Sequence, residues 1–348
     1  MQSVELIRAL SSAFGPPGFE EDVLEAAKKY VPPGYITQRD SLLNFYMQRE
    51  PIPGAPTVML DAHSDEVGLM VHAIKSDGTI VFTALGGWVP AALVAQRMLV
   101  RNRDGKLVTG VVASKAPHFG GTEEAPPKLE QLVLDLGARS KEEVLEEYKI
   151  APGCAVVPKS EFEQRGDLMI GKAFDDRLGC AAVLEVLAEA RDVNVNLVGT
   201  FSTQEEVGLR GAKVSARRVR PDIAICLEGA PADDTLCEPQ LTQTALGRGP
   251  MLRHFDRAMI TNPRFLRFAL DVAERQGIPV QEAVRTGGST NGASIHLANL
   301  GVPTIVIACP VRYAHSHNGM ASLSDYSNMV ALAVEIVKAI DTETIQNF

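Results

Sequence analysis

The chain has 348 residues, 45% of them hydrophobic and 22% charged, a balance typical of folded globular proteins and unlike that of disordered or fibrous ones. This length predicts one large domain with a smaller one, or two domains. With 43 acidic and 34 basic residues the net charge is −9, and no long run of lysine and arginine is present, so nucleic acid is not an expected partner.

Cysteine usage and hydropathy predict a cytoplasmic protein with no membrane partner. The five cysteines are odd in number and form no C-x-x-C pair, which is typical of reduced thiols. The N-terminus carries Glu5 and Arg8 within an apolar pattern, so it predicts an amphipathic helix and not a secretory signal. No uncharged apolar stretch reaches the roughly 18 residues that a membrane span needs.

In chain order, the predicted elements begin with two helices. The first contains Val4 to Leu10, "GPPG" at residues 15–18 interrupts it, and "FEEDVLEAAKKYV" starts the second. Apolar strand candidates then alternate with helical patterns, and we predict strands at 57–61, 195–202, 222–228 and 304–310 and helices at 178–191, 265–276 and 325–340. This alternation predicts an α/β fold with a helix-covered mixed sheet.

Between about residues 69 and 166 the pattern changes to short β-like runs separated by turn signals, among them a predicted hairpin from Val100 to Val112. Ser140 and Glu143 form a capping box that predicts one helix within this stretch, and we expect a mobile loop at 119–128. The predicted organisation is therefore a main domain from residues 1–68 and 167–348, interrupted by a small inserted β-rich domain at 69–166.

Polar clusters follow four of the strand candidates: "DAHSDEVG", "TQEEVG", "LEG" and "RYAHSHNG". Ligands of open α/β sheets gather beyond the carboxyl ends of the strands, so these clusters are expected to converge there. The adjacent Glu205 and Glu206 would point to opposite faces within a strand. Beyond the end of the strand, both can reach the same pocket.

The residues of these clusters and of "FDDR" offer carboxylates and imidazoles but no thiolate. They are His63, Asp65, Asp175, Asp176, Glu205, Glu206, Glu228, His315 and His317. Such ligands suit catalytic zinc, cobalt or manganese better than a structural zinc site, and a pair of divalent cations would suit hydrolysis. Each motif alone has a structural explanation: "EE" as a solvated helix start, "FDDR" as a helix cap, and the histidines as core or loop residues. Their joint occurrence at strand ends favours the metal site.

Together the motifs "DAHSDEVG", "GKAFDDRLGC", "STQEEVGLRGA", "GG" near Gly287 and "RYAHS" resemble the ordered signature of the dinuclear tetrahedral aminopeptidase family, which includes glutamyl and deblocking aminopeptidases. The similarity covers nearly the whole chain, including the "GPPGFEE" entry. The resemblance implies five metal ligands: His63 and Glu228 for one ion, Glu206 and His315 for the other, and Asp175 for both.

The resemblance also implies roles for residues beside the metals. Asp65 would hydrogen-bond the far nitrogen of His63 and fix its tautomer. Glu205 would be the general base that activates water and then protonates the leaving amine. A cis peptide is expected between Asp175 and Asp176.

Three positions depart from the pattern of many relatives. Glu228 stands where many have Asp, Asn291 replaces a familiar acid in "GGSTNGAS", and His317 adds a second imidazole close to His315. Outside the motifs, His118 is predicted to be a loop residue, with a reach into a neighbouring subunit's site as the alternative. Three further histidines (His72, His254 and His296) are predicted to be structural, and Trp88 to pack within the insertion.

By this resemblance the chain would be a cytoplasmic dinuclear metalloaminopeptidase that removes N-terminal residues from short peptides, using two divalent ions such as zinc or cobalt, or else manganese. The insertion would mediate dimerisation, and dimers would assemble into a hollow dodecamer. Two alternatives remain at this point: a deacylase or carboxypeptidase that acts on N-acyl amino acids with the same site, and a non-catalytic metal-binding assembly protein. Side-chain specificity is not predicted.

Overall fold

The computed structural model describes residues 3–115, 118 and 127–348. Most of the loop predicted to be mobile, residues 119–126, lies outside the described residues. The helices are α1 (Ser3–Ser12), α2 (Glu21–Lys28), α3 (Lys141–Glu146), α4 (Phe174–Glu189), α5 (Arg210–Val219), α6 (Pro263–Gln276), α7 (Gly292–Ile295), α8 (Leu323–Ala339) and α9 (Thr342–Gln346).

The strands form an eight-stranded sheet, a closed barrel and a three-stranded sheet. Those of the large sheet are, in spatial order, β1 (Ile36–Arg39), β2 (Phe45–Gln48), β12 (Asn196–Ser202), β3 (Thr57–His63), β13 (Ile223–Pro231), β16 (Thr304–Val311), β14 (Met251–Phe255) and β15 (Gln281–Val284). The central strands β12, β3, β13 and β16 are parallel, whereas β2 and β14 pair antiparallel with their neighbours in this group. The predicted mixed α/β fold is confirmed.

Helices cover both faces of the large sheet because its central strands are apolar on both sides. In β3, Val58 and Leu60 belong to the core beneath α1, α4 and α8, whereas the intervening Met59 packs with α5 and α7 on the opposite face. Successive side chains of a strand point to opposite faces, so this alternation is what a doubly covered strand requires. The faces of the sheet are thereby covered, and polar side chains can be placed at the ends of its strands.

The closed barrel contains, in spatial order, β4 (Gly68–Ile74), β5 (Ile80–Leu85), β8 (Leu134–Asp135), β7 (Leu107–Val112), β6 (Arg97–Arg101) and β9 (Ala155–Pro158). It has a hydrophobic core of its own. The predicted hairpin is confirmed, because β6 and β7 pair antiparallel, with Arg101 opposite Leu107 next to the turn and Arg97 opposite Val111 at the far end. The predicted cap is also present: the Glu143 N–H donates to Ser140 Oγ at 3.2 Å, at the start of α3.

The three-stranded sheet joins the end of the barrel segment to the main domain. It consists of β10 (Glu163–Arg165), β11 (Leu168–Gly171) and β17 (Gly319–Ser322). Residues that precede α4 therefore pair with residues that follow β16, and this fixes the entry into α4 against the large sheet. No helix among the residues described is long and apolar enough to cross a bilayer.

Candidate metal centre

The candidate site lies at the carboxyl ends of the central parallel strands. His63 is the last residue of β3 and Glu228 lies towards the end of β13. Glu205 and Glu206 follow the end of β12, His315 follows β16, and Asp175 lies at the start of α4. The polar clusters of the sequence thus converge where the strand-end rule places ligands.

The first group of side chains consists of His63, Asp175 and Glu228. His63 Nε2 lies 3.0 Å from Asp175 Oδ1 and 3.4 Å from Glu228 Oε1. All three side chains are buried or nearly so, with exposed fractions of 2%, 13% and 7% respectively. One ligand atom from each lies within 4.8 Å of the other two.

The second group consists of Asp175, Glu206 and His315. His315 Nε2 lies 3.3 Å from Asp175 Oδ2 and 3.3 Å from Glu206 Oε1. Asp175 therefore offers one oxygen to each group, and it is the residue that the two groups share.

These donors fit a pair of divalent cations in both chemistry and spacing. Nitrogen and oxygen ligands at about 2.0 to 2.1 Å from a tetrahedral ion stand about 3.3 Å apart, close to the separations seen in both groups. Glu206 Oε1 and Glu228 Oε1 are buried and have no hydrogen-bond partner within the described part of the chain. A buried carboxylate oxygen without a partner is costly, and a bound cation would satisfy one such oxygen in each group.

Both imidazoles are oriented by backbone carbonyls. His63 Nδ1 lies 3.1 Å from the carbonyl oxygen of Asp65, and His315 Nδ1 lies 2.8 Å from that of Gly87. A carbonyl only accepts, so each Nδ1 is the donor and each Nε2 points into the site. This is the arrangement of a histidine ligand supported from behind.

The site strongly favours positive charge. Burial alone would lower the pKa of His315, but Asp175 and Glu206 raise that pKa to about 10. Burial, with the charge of Asp175, raises the pKa of Glu206 to about 8, and His315 opposes this rise. Carboxylates that lie close together without enough positive charge between them repel one another, so their pKa values rise and they hold protons. A divalent cation would compete with these protons for the carboxylates.

Asp65 differs in detail from its predicted role. Its carboxylate oxygen Oδ1 lies 3.4 Å from His63 Nδ1, but the nearer acceptor is the backbone carbonyl of Asp65 itself. The carboxylate instead accepts the N–H of Glu205 at 2.9 Å and that of Glu206 at 3.1 Å. Spacing alone does not reveal which oxygen of a residue faces a partner, and the role of the Asp65 carboxylate towards His63 stays a prediction.

Glu205 lines the same cavity as both groups. Burial raises the pKa of Glu205 well above its ordinary value, His63 opposes the rise, and Glu206 and Glu228 add to it. The adjacent Glu205 and Glu206 both reach this cavity because β12 ends at Ser202 and the backbone turns through a left-handed Gln204. Strand alternation has ceased by that point, as predicted.

The peptide bond between Asp175 and Asp176 is cis, as expected. Asp176 does not face the two groups. Its carboxylate accepts the N–H of His63 at 3.0 Å and that of Gly179 at 2.9 Å, so it joins the end of β3 to the first turn of α4.

The structure distinguishes the two neighbouring histidines of "RYAHSHNG". His317 is buried away from the two groups, with its Nε2 3.1 Å from the carbonyl oxygen of Arg97 and its ring beside Trp88. Trp88 packs against the barrel core, as predicted, and its Nε1 donates to Gly68.

The remaining histidines lie outside both groups. His72 and His118 are exposed. His254 contacts Glu282 at 2.7 Å, and His296 Nδ1 lies 2.9 Å from the carbonyl oxygen of Gly292.

The barrel contributes a turn to the site, which the sequence did not predict. A side chain at Gly86, where φ is +89°, would come within 3.1 Å of Glu206 Oε2, and Gly87 supplies the carbonyl that faces His315. The glycine pair at residues 86–87 is, by its sequence, one of the turn signals of the insertion. A glycine pair in an insertion gives no indication of which distant loop it approaches.

The cavity over the two groups has a volume of about 600 Å³. Its wall includes Arg253, Arg285 and Thr290, none of which the sequence analysis singled out. Arg253 is buried and donates to Asp256 at 3.0 Å, while its Nε has no hydrogen-bond partner among the described residues. Arg285 lies 3.3 Å from Asp233.

Asn291 is not among the lining residues. It is buried and donates to Asp61 Oδ2 at 2.8 Å. The replacement of the familiar acid therefore affects the support beneath β3, and the two groups retain all their carboxylates.

Comparison with known proteins identifies the class of this site. The M42 glutamyl aminopeptidase family model matches residues 44–332. The glutamyl aminopeptidase of Lactococcus lactis subsp. cremoris is 34% identical over 99% of this chain and 98% of its own. The crystal structure of a TET aminopeptidase from a marine sediment Thaumarchaeota archaeon superimposes with a TM-score of 0.94 at 36% identity, over 99% of this chain and 98% of that one.

A third relative, the Pyrococcus horikoshii TET1 peptidase, gives a TM-score of 0.88 at 26% identity over 97% of this chain and 100% of its own, and it can assemble into a tetrahedron or a large octahedral shell. Full-length similarity to aminopeptidases defines a hydrolase of the exopeptidase class. The chain belongs to the M42 glutamyl aminopeptidase family, a family of metallopeptidases.

Proposed function

We propose that this chain is a dinuclear metalloaminopeptidase that removes the N-terminal residue from short peptides. The observation that carries the proposal is the pair of ligand groups that share Asp175, each with its own imidazole and its own unpartnered carboxylate oxygen. His63, Asp175 and Glu228 hold one divalent ion, and Asp175, Glu206 and His315 hold the other. Zinc and cobalt suit this donor set, as does manganese.

Divalent cations at such a site supply Lewis acid polarisation of the scissile carbonyl and a lowered pKa of water. The side chains of this chain do the rest. Glu205 takes a proton from the attacking water and delivers it to the departing amine. Burial supports this role, because it moves the pKa of Glu205 upwards, towards the range in which a carboxylate both accepts and donates protons.

The side chain of the N-terminal residue packs against the part of the cavity wall that contains Arg253, Arg285 and Thr290. Two guanidinium groups and a hydroxyl suit a carboxylate, because a buried arginine with an unsatisfied N–H gains most from a charged acceptor. The substrate preference is therefore an acidic N-terminal residue. The glutamyl aminopeptidase of Lactococcus lactis carries this preference in its name.

Self-association is also part of the proposal. The segment 69–166 forms a dimerisation domain, and it exposes apolar side chains, among them Leu107 and Val111 on the barrel and Val89 on the connection between β5 and β6. Dimers build a larger assembly, and the Pyrococcus horikoshii relative can itself assemble into a tetrahedron or a large octahedral shell. The protein acts in the cytoplasm, where thiols stay reduced, in keeping with free cysteines at all five positions.

The experiment is hydrolysis of glutamyl, aspartyl, leucyl and lysyl anilides and of short peptides, each free and N-acetylated. Metal-stripped protein and protein reloaded with zinc, cobalt or manganese are compared, with Glu205→Gln beside the wild type. We expect cleavage of free substrates only, with metal only, and a loss of at least about 100-fold in Glu205→Gln with metal content retained. Cleavage of the acetylated substrates alone would instead identify a deacylase.

A further inference from the structure

The segment "GPPGFEE", residues 15–21, is a motif that the site described above does not use. It nevertheless lies beside that site. The Gly15 N–H donates to Glu66 Oε1 at 3.3 Å, and the Gly15 carbonyl accepts the N–H of Glu66 at 3.0 Å. The segment is thereby attached to the loop that follows His63 and contains Asp65.

Glu20, the last residue before α2, is fully buried. Its side chain makes no capping hydrogen bond to α2, so the start of the helix does not account for its burial. Glu20 Oε1 instead accepts the N–H of Gly18 at 2.9 Å and that of Gln204 at 3.2 Å. The buried carboxyl group of Glu20 thus lies against the loop that precedes Glu205.

Glu20 and Asp65 act on this loop together. Gln204 donates to Glu20, Glu205 donates to Asp65 Oδ1, and Glu206 donates to Asp65 Oδ2. Three consecutive backbone N–H groups are therefore held by two buried carboxyl groups. With these three N–H groups anchored, the loop has little freedom to rotate its side chains out of the cavity.

The conformation of Gln204 explains why such anchoring is needed. Its φ is +54°, in the left-handed region that residues with a side chain rarely adopt. A residue is held there only where its surroundings determine it. This turn brings both Glu205 and Glu206 into the cavity, so the hydrogen bond from Gln204 acts at the point on which their placement depends.

We propose that Glu20 is a positioning residue, which aims Glu205 by accepting the N–H of Gln204. The proposal rests on the proposed role of Glu205. What matters is the reach of the Glu20 oxygen, because the contact is a hydrogen bond to a backbone N–H and not an ion pair. A side chain of the same length with a neutral acceptor will therefore serve, whereas a shorter carboxylate will not.

The test compares Glu20→Gln, Glu20→Asp and Glu20→Ala with the wild type. The matched control is Glu21→Gln, which removes the neighbouring carboxylate at an exposed position. Steady-state kinetics with one cleaved anilide give kcat and KM, and metal content is measured on each sample. Hydrogen exchange of peptides that cover residues 203–209 and begin upstream of residue 202, so that the Gln204 N–H is retained, followed by mass spectrometry on metal-free protein, reports the Gln204 contact without using activity.

We expect Glu20→Ala and Glu20→Asp to lose about 10- to 100-fold in kcat, with KM changed less than about twofold, because displacement of a catalytic group by about 1 Å costs this much. Exchange of the peptides that cover residues 203–209 should quicken in the same two variants, since it follows local opening. Glu20→Gln and Glu21→Gln should stay within about threefold of the wild type in kcat. If Glu20→Ala fails to fold, the comparison of Glu20→Asp with Glu20→Gln still tests the proposal.

Retention of kcat in Glu20→Asp with loss in Glu20→Gln would show that charge matters and would overturn the proposal. Unchanged exchange in Glu20→Asp, or a loss confined to KM, would overturn it as well. Full activity in Glu205→Gln would instead refute the proposed base, and the exchange measurement would still test the contact between Glu20 and Gln204.

Discussion

His63 Nε2 and Asp175 Oδ1 lie 3.0 Å apart although 112 residues separate them in the chain. One is the last residue of β3 and the other opens α4, and the whole barrel lies between them in sequence. The contact therefore exists only when the sheet and the entry into α4 are both in place. Asp175 extends it to His315 through its other oxygen, so this carboxylate is the point at which the site is most sensitive to change.

The first prediction concerns Asp175→Asn, which keeps the shape of the side chain and removes its charge. Both groups lose an anionic ligand at once, so we expect metal content to fall below about one ion per chain and activity to fall at least about 100-fold, since the ligands themselves should matter more than the groups behind them. Metal analysis and anilide hydrolysis measure both. Asp192→Asn, at an exposed position, is the control. Two ions per chain in Asp175→Asn would contradict the shared-ligand model.

The second prediction separates His315 from His317. His315→Gln removes an Nε2 that faces Asp175 and Glu206, so it should lower both metal content and kcat, the latter by at least about 100-fold. His317→Gln alters a buried contact with the Arg97 carbonyl, so it should lower Tm by about 2 to 6 °C and leave the activity of folded protein near that of the wild type. The reverse pattern would assign the ligand to His317.

The second prediction also shows where sequence reasoning stops. The order of motifs and the apolar strands before them were enough to predict the central sheet, the helices that flank it and the convergence of polar clusters at its edge. Only the resemblance carried by "RYAHS" favours His315 over His317. The residue pattern itself does not separate two imidazoles two residues apart, because the turn after β16, with Tyr313 and His315 both at positive φ, sets where each ring points. Local sequence does not specify such a turn without its tertiary contacts.

The elements and contacts that were missed have related physical causes. The strand β14 is short, and its Arg253 breaks the apolar pattern of a buried strand, so nothing in the sequence marked it as a sheet member or as part of the cavity wall. The helix α5 is strongly polar on one face and follows directly after "TQEEVGL". The sequence analysis interprets that motif as part of the site and not as the approach to a helix. By its sequence, Glu20 in "FEEDVLEAAKKYV" is typical of an acid at the start of a helix, and only its burial against Gln204 distinguishes it.

The third prediction concerns pH. Burial, and then the charge of Asp65, raises the pKa of Glu20 from 4.5 to about 8. Between these values the folded protein keeps a proton that the unfolded chain has released, so the free energy of unfolding decreases as pH rises from about 4.5 to 8. Glu20→Gln lacks this titration. Its Tm relative to the wild type should therefore increase from pH 5 to pH 8, by about 5 °C for an effect of a few kcal/mol.

Thermal unfolding of the wild type, Glu20→Gln and the exposed control Glu21→Gln across this range tests the third prediction. The control should show a small Tm difference that changes little with pH. A Glu20→Gln difference that stays flat, or shrinks towards pH 8, would mean that Glu20 is ionised in the folded protein at neutral pH.

The fourth prediction concerns the cavity wall. If Arg253 receives the carboxylate of an acidic N-terminal residue, Arg253→Met should lower kcat/KM for glutamyl anilide by about 10- to 100-fold more than for leucyl anilide, the range expected when one hydrogen bond to a charged group is lost. The ratio of kcat/KM for the two substrates is the informative quantity.

Removal of Arg253 also leaves Asp256 without its ion pair, and damage to the fold would reduce both activities together. Arg267→Met, which breaks an exposed ion pair with Asp271 on α6, is the matched control and should leave the ratio unchanged. If the ratio is unchanged in Arg253→Met, the preference for an acidic residue depends on Arg285 and Thr290. If the wild type itself prefers leucyl anilide, the acidic preference is removed from the proposed function and the metal centre stays as described.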